Sequence, residues 1–354
     1  MSELLDHVRI APERSLIESL FDRYGLDQLL GHYEESGEAT PYYEYVLSTQ
    51  LRLTPLLAPR LCGLLDEVRE RLKLTATIDL FVQPNAEINA FALHSLHEGE
   101  PHVVSFTSGL VQSMDDDELR FVLGHELGHL RFAHYRSRLI EVAVGKSEGG
   151  ESKLPPVLQR RLATWDRLAE LSADRSGWVA VEGKLESIVS SFFKMASGLG
   201  PEHLSFDIEA FLKQLEDLQK MKRKEVLAAF SHPVTPVRVR ALQLWGETLE
   251  GGLEHGEVGE VNEAVADLAK LLDYEVTEPL EVHARDFIIA GGLLAAYSDD
   301  EEVTDDQWKL FVQILVPLTS DPEAQLKRVD GRETAEAMLE ENAAWLRKNA
   351  GQER

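Results

Sequence analysis

The run His125-Glu126-Leu127-Gly128-His129 sets two imidazoles and a carboxylate at a spacing suited to metal chemistry. On a helix, residues four apart lie about one turn apart on the same face, so the two rings can converge on one ion. Leu119, Leu123, Leu127 and Leu130 fall on the opposite arc, where a core would lie, and Glu126 falls between the two arcs. A carboxylate in that position needs a cationic partner, and a metal with an activated water beside it provides one. Upstream, Ser113-Met114-Asp115-Asp116 reads as a capping box, and the acids from Asp115 to Glu118 suit the positive end of the helix dipole. The pattern therefore sits on a capped amphipathic helix, the context its chemistry requires.

A tetrahedral catalytic zinc needs a third protein ligand and one open position. The metzincin solution, a glycine and then a histidine downstream, is ruled out because Phe132 and Tyr135 occupy those positions. The better candidate is Glu170-Leu171-Ser172-Ala173-Asp174, in which Asp166, Glu170 and Asp174 make one helical stripe. Ala173 and Gly177 share that face, and with Gly124 and Gly128 on the first helix they would allow two helices to approach closely. Glu170 is then the third ligand, and Asp174 holds the free nitrogen of a ligating histidine. A stripe of acids alone reads as a solvated face, and the nearby His-Glu-Leu-Gly-His run reverses that preference.

Residues 1–75 read as helical, with Leu56, Leu57, Leu61, Leu64, Leu65, Val68 and Leu72 on one buried face. Three short strands follow, at Thr77–Val82, Ile88–Leu93 and His102–Phe106. From Ser113 to about Gln243 the pattern is helix after helix, and the Gly- and Glu-rich passage Gly246–Gly259 reads as a linker before helical periodicity resumes. The fold class is α+β: a mostly helical domain with a small antiparallel sheet, followed by a helical C-terminal domain.

Composition narrows the partners. Against 62 Asp and Glu the chain has 36 Lys and Arg, a net charge of −26, and a surface so acidic repels phosphate backbones and anionic lipid. Nucleic acid is excluded as an expected partner. The single cysteine, Cys62, precludes an intramolecular disulfide and lies on an apolar helical pattern, as a packing residue would. The N-terminus does not read as a signal peptide, and the apolar stretch Phe287–Tyr297 is about half the roughly 20 residues of a membrane span. The expectation is a soluble, cytoplasmic protein.

Four ordered motifs carry a resemblance. They are Asn89-Ala90-Phe91-Ala92 leading into Thr107-Ser108-Gly109-Leu110; Glu118-Leu119 with the His125–His129 run; Glu170 with Ala173-Asp174; and Ser231-His232-Pro233. Over roughly residues 55–250 the sequence resembles the HtpX-type, CAAX-prenyl-protease-like family of gluzincin zinc peptidases. The resemblance implies a zinc endopeptidase with one Zn2+ per chain, acting on protein or peptide substrate. It also implies that the strand at Asn89, Ala90 and Phe91 binds substrate as an added strand, although an ordinary core-sheet strand fits those residues equally well. Ser231–Arg238 has a plain reading as a helix–loop–helix junction with Thr235 as N-cap and Pro236 first in the helix. The resemblance adds that His232 can close on the zinc as a fourth ligand in a latent state, and that Arg238 faces the cleft as an oxyanion or substrate contact. Known members carry membrane helices or export signals, which this sequence does not show.

The resulting reading has residues 1–54 as an N-terminal helical segment, 55–250 as the zinc metallopeptidase domain and 255–354 as a helical bundle. In the bundle, Phe287–Tyr297 and the acidic turn from Asp299 faintly resemble TerB-like helical domains, and a plain bundle for partner docking or self-association is preferred. Catalysis falls to Glu126 as general base, with Arg238 assisting. His94, His97, His102, His134 and His203 fit no ligand spacing. The rival is a non-proteolytic binding protein with a relic metal site, which the intact Glu126 argues against.

Overall fold

The computed structural model describes residues 2–24, 26–35, 42–95, 99–144, 154, 156–220, 233–251, 255–270, 278–296, 308, 322–329 and 331–350. In chain order these begin with α1 (Ser2–His7), α2 (Ala11–Tyr24), α3 (Leu26–Glu35), α4 (Tyr42–Thr49), β1 (Leu51–Leu53) and α5 (Pro59–Arg71). Next come β2 (Ile78–Gln83), β3 (Ala90–Leu93), β4 (His102–Thr107), α6 (Ser108–Ser113), α7 (Asp116–Arg131) and α8 (Arg136–Val144). The rest is helical: α9 (Pro156–Ala180), α10 (Leu185–Ser197), α11 (Ile208–Lys220), α12 (Thr235–Gly251), α13 (His255–Lys270), α14 (Glu278–Ala296), α15 (Pro322–Lys327) and α16 (Gly331–Ala350). The α+β class is as expected. No helix among the described residues is long and apolar enough to cross a membrane.

Spatial proximity divides the chain into two units, Met1–Ile17 with Asp27–Leu272, and Glu18–Leu26 with Asp273–Arg354; the passage Gly246–Gly259 expected as a linker instead ends α12 and begins α13 within the first unit. In the second unit α14, α15 and α16 enclose a small core of Ile289, Leu293, Leu326, Val329 and Ala335. There His283 hydrogen-bonds Asn342 at 2.6 Å and stacks on Trp345. The acidic turn from Asp299, on which the TerB-like resemblance rests, lies outside the described residues.

The first unit contains the sheet, in strand order β1-β2-β4-β3. It is mixed rather than antiparallel: β1–β2 and β3–β4 are antiparallel, but β2 and β4 run parallel. The cause is the insertion of β4 between β2 and β3. Lying antiparallel to β3, β4 must run with β2. β1 is a three-residue strand inside a region of helical periodicity, too short for alternation to reveal it. Burial of Val104, Phe106, Leu119, Leu123 and Leu127 joins β4 to α7 in one core, and Cys62 is buried on α5 as expected of a packing residue, whereas Leu56 and Leu57, expected on the same buried face, precede α5 and are exposed.

Two features fix α7. Its N-cap is Asp115, whose side chain accepts from the Glu118 backbone while the Glu118 carboxylate accepts from the Asp115 N–H at 2.7 Å. The capping box thus starts two residues later than the sequence suggests, because Ser113 is the last residue of α6. Glu118 is buried and also binds Lys194 Nζ at 2.7 Å, tying α7 to α10. Along its length α7 lies against α9 through the expected small residues. A Cβ on Gly124 would come within 2.4 Å of the Ala180 Cβ, and one on Gly128 within 2.7 Å of Ser176 Oγ.

The surrounding helices lock α9. Ile10, Leu168, Leu171, Ala241 and Val265 pack together, joining the chain just before α2 with α9, α12 and α13. Ser172 Oγ accepts the Ile10 N–H at 3.1 Å, and Arg175 donates to Asn262 Oδ1 at 2.8 Å.

Candidate metal centre

The close α7–α9 packing brings His125, His129 and Glu170 together, with one ligand atom from each within 4.8 Å of the others. The two Nε2 atoms are 3.0 Å apart, and Glu170 lies 3.5 Å from His125 Nε2 and 3.3 Å from His129 Nε2. Ligand atoms held about 2.0–2.1 Å from a tetrahedral zinc stand about 3.3 Å from one another, so the spacing fits, as does the donor set of two imidazoles and a carboxylate. His125, Glu126 and Glu170 are all buried.

Behind His125 lies Asp174, fully buried, with Oδ1 2.9 Å from His125 Nδ1. The imidazole Nδ1–H donates to this carboxylate, the arrangement in which Nε2 is the atom that would ligate a metal. Arg238, from α12, donates to Asp174 through Nη2 at 2.5 Å and Nε at 2.8 Å, and its guanidinium lies over the Phe192 ring. Burial pushes the Asp174 carboxyl up, but the Arg238 charge and hydrogen bonds and the His125 contact outweigh it and hold the group below its ordinary range. Burial likewise opposes the Arg238 charge, and Asp174, Glu170 and Glu126 together more than restore it.

On the far side of the site, His129 Nδ1 meets His134 Nδ1 at 2.9 Å. The contact arises from the way α7 ends. His134 N–H bonds the His129 carbonyl at 3.0 Å and Ala133 N–H bonds the Leu130 carbonyl, with Ala133 left-handed at φ 56°. This is a Schellman termination, which folds the residue after the left-handed one back over the last turn. His134 Nε2 in turn faces Glu13 Oε1 of α2 at 3.8 Å. The Glu13 carboxylate is fully buried and receives Arg9 Nε and Nη2 at 2.7 and 2.8 Å and Trp165 Nε1 at 2.7 Å. Sequence spacing gave no sign of His134 or Glu13. Five residues exceed a helical neighbour distance, and the link to α2 crosses more than 100 residues; only a histidine just past the helix end would have drawn notice.

Asn89, Ala90 and Phe91 lie at the sheet margin. Asn89 precedes β3, with its carbonyl bonded by the Thr107 N–H, while Ala90 pairs with Phe106 and Phe91 with Ser105. Among the described residues β3 has a strand partner on one side only. A cavity of about 1190 Å³, lined mostly by apolar groups, runs from Phe91 and Leu93 past Tyr135 to His129 and Glu170. Asp166 also lines it, its carboxyl pushed up to about 6 chiefly by burial. His94 is sandwiched between His102 and Tyr135. His232 and His97 lie outside the described residues.

This arrangement of two histidines from α7 and a glutamate from α9 is a candidate metal centre with a zincin-type donor set. The sequence pattern of Peptidase family M48 matches residues 66–246, more than half of the chain, and the chain belongs to that family. Among curated proteins it is 29% identical over 200 residues to the Plastoglobule-localized metallopeptidase 48, chloroplastic, of Arabidopsis thaliana, covering 53% of this chain and 57% of that one. It is 24% identical over 199 residues to Protease HtpX of Actinobacillus pleuropneumoniae and of Haemophilus ducreyi, covering 47% of this chain and 65% of theirs. The matched stretch is thus less than two thirds of each relative's length. No solved structure matches the chain.

Proposed function

We propose that the chain is a zinc-dependent endopeptidase that holds one zinc ion through His125, His129 and Glu170. The observation that carries the reading is the convergence of those three ligand groups beside a buried Glu126. Zinc bound there lowers the pKa of water and polarises a carbonyl oxygen. Glu126 takes the proton from the attacking water as the scissile carbonyl becomes tetrahedral, then returns it to the leaving amine. Asp174 holds the His125 ring in its ligating orientation, and Arg238 holds Asp174. The free side of β3, at Asn89, Ala90 and Phe91, receives an extended peptide as an added strand whose side chains reach the adjoining cavity.

Several further elements belong to this reading. The substrates are proteins or peptides, as the names of the relatives suggest, and the net charge of −26 argues against nucleic acid. A cytoplasmic location and a latent state closed by His232 are likewise proposed. So is a separable C-terminal bundle that serves partner docking or self-association.

The test compares metal content with cleavage of an unfolded polypeptide. Glu126→Gln should keep about one zinc per chain and lose cleavage, whereas Glu170→Ala should lose the metal. Full activity in Glu126→Gln would refute the mechanism, and undiminished zinc affinity in Glu170→Ala would refute the ligand set. A zinc-loaded wild-type protein that binds polypeptide without cutting it would favour the non-proteolytic alternative.

A further inference from the structure

His125 has an acid on α9 to fix its proton. His129 has instead a second imidazole, and behind that a buried acid from the N-terminal helix. The two Nδ1 atoms of His129 and His134 are 2.9 Å apart, so in a pair of neutral rings one proton lies between them. Two arrangements are available. If the proton belongs to His134, the bare lone pair of His134 Nε2 faces the Glu13 carboxylate, and His129 carries its own proton on Nε2, where it cannot ligate. If the proton belongs to His129, its Nε2 is bare toward Glu170 and His125, and His134 Nε2–H points at Glu13 Oε1, 3.8 Å away.

We infer that Glu13 and His134 are positioning residues for the metal centre, selecting the tautomer of His129 that presents a bare Nε2 to the ion. The inference rests on the proposed zinc site. Its physical basis is that an N–H dipole pointed at a buried carboxylate is favourable and a lone pair pointed at one is not; Glu170, 3.3 Å from His129 Nε2, makes the opposite demand until an ion lies between them, so the bias operates in the zinc-loaded centre. Glu13 suits the role because three groups hold it as an anion with four hydrogen bonds: two from Arg9, one from Trp165 Nε1, and one from Ser172 Oγ at 3.3 Å. His134 Nε2 is itself buried and makes no hydrogen bond, so Glu13 is the group that biases it. The ring is wedged edge-on against Trp165, which limits any turn away from this alignment. Residues at the start of α2 thus serve the centre, although they lie well before the stretch matched to the family, residues 66–246.

The experiment uses the full-length chain and two readouts other than turnover. Chelator competition gives zinc affinity. His134→Leu, which removes the acceptor, should weaken binding about 10- to 100-fold. His134→Asn, whose side-chain carbonyl can still accept from His129 Nδ1–H, should recover most of the loss, and Glu13→Gln should fall between. Imidazole 15N spectra of the zinc-loaded wild type should show His134 protonated on Nε2 and bare on Nδ1, a result independent of whether any variant folds. The opposite tautomer, or wild-type zinc affinity in a folded His134→Leu protein, would overturn the inference. Glu170→Ala serves as the control. If it too keeps wild-type affinity, the zinc site itself is at fault; if it alone loses metal, only the Glu13–His134 role fails.

Discussion

Arg238 grips Asp174 with a two-pronged contact, Nη2 to Oδ1 at 2.5 Å and Nε to Oδ2 at 2.8 Å. Asp174 is fully buried and in the same geometry holds His125. Two of the Arg238 nitrogens are therefore committed to the carboxylate behind a proposed ligand; Nη2 also lies 3.3 Å from His125 Nδ1, and Nη1 lies 3.7 Å from Glu170 Oε2. Parallel N–H donors matched to one carboxylate are a property of guanidinium that ammonium lacks.

That geometry separates a positioning role for Arg238 from a purely substrate-facing one. Arg238→Ala leaves Asp174 buried and uncompensated, for which about 3–5 kcal/mol of destabilisation is expected. Arg238→Lys keeps the charge but not the fork, and should lower zinc affinity with a smaller stability loss. Denaturant unfolding and chelator competition check both. Unchanged stability and metal affinity in Arg238→Ala, with turnover alone reduced, would return Arg238 to an oxyanion or substrate contact.

The helix crossing that builds the centre gives a second expectation. At Gly124 a methyl would meet the Ala180 Cβ at 2.4 Å and the Gly177 backbone at 2.8 Å, and neither can swing away. Gly124→Ala should destabilise the protein by about 1–3 kcal/mol through overpacking. It should also weaken zinc binding, because α7 carries the histidines and α9 carries Glu170. Ala at an exposed helical glycine would stabilise instead, so the sign of the change in unfolding free energy decides.

Much of the centre is legible in the sequence because its chemistry is local in helical periodicity. His125, Glu126 and His129 share one turn, Glu170 and Asp174 share another, and the small residues between them reveal that the helices touch. The sheet is only partly legible: alternation marks β2, β3 and β4, but their order depends on where β4 inserts, which is a matter of tertiary packing. What periodicity cannot show is a contact made through a helix ending or from a distant segment. His134 reaches His129 by the Schellman turn, and Glu13 reaches His134 across the chain. The family resemblance alone suggested Arg238 as a cleft residue, and its grip on Asp174 is a pairing no spacing encodes.

The turn that delivers His134 places Ala133 at φ 56°, a conformation that disfavours a residue with a Cβ. Ala133→Gly relieves that strain and loses some of the gain to a more flexible unfolded chain, for a net stabilisation of about 0.5–1 kcal/mol. Zinc affinity should be unchanged, since the turn itself persists. A thermal melt shifted downward would show that the Ala133 methyl contributes more by packing than it costs in backbone strain.

Stability should fall with acid, and the buried carboxylates give the sign. Burial pushes Glu13 up, but the Arg9 hydrogen bonds, the facing His134 and the Arg9 charge hold it at about 2 against an ordinary 4.5. The unfolded chain therefore binds the proton more readily. The Glu13 contribution is present above pH 4.5 and is lost as pH falls toward about 2, amounting to roughly 3 kcal/mol at most. Asp174 acts in the same direction. Asp166 is opposite: with its carboxyl raised from 3.8 to about 6, its contribution is present below pH 3.8 and lost as pH rises through 6. Glu13→Gln should flatten the acid limb of the stability profile, and Asp166→Asn should raise stability above pH 6. Unfolding free energies measured across that range would disprove the assignment if either variant kept the wild-type profile.

The last expectation concerns the proposed latent state. His232 immediately precedes Pro233, two residues before α12 begins at Thr235, and α12 also carries Arg238. A neutral imidazole on that segment can fill the open coordination position of a three-ligand zinc and exclude the nucleophilic water. Substrate would favour opening only by binding the displaced arrangement more tightly, so an unfolded polypeptide could itself shift the balance. His232→Ala should then raise basal cleavage of a loose polypeptide with zinc content unchanged. In the plain reading His232 packs at the junction or contacts substrate, and its loss lowers turnover. A folded, zinc-replete His232→Ala protein with reduced cleavage would therefore eliminate gating, whereas a gain at equal zinc content would support it.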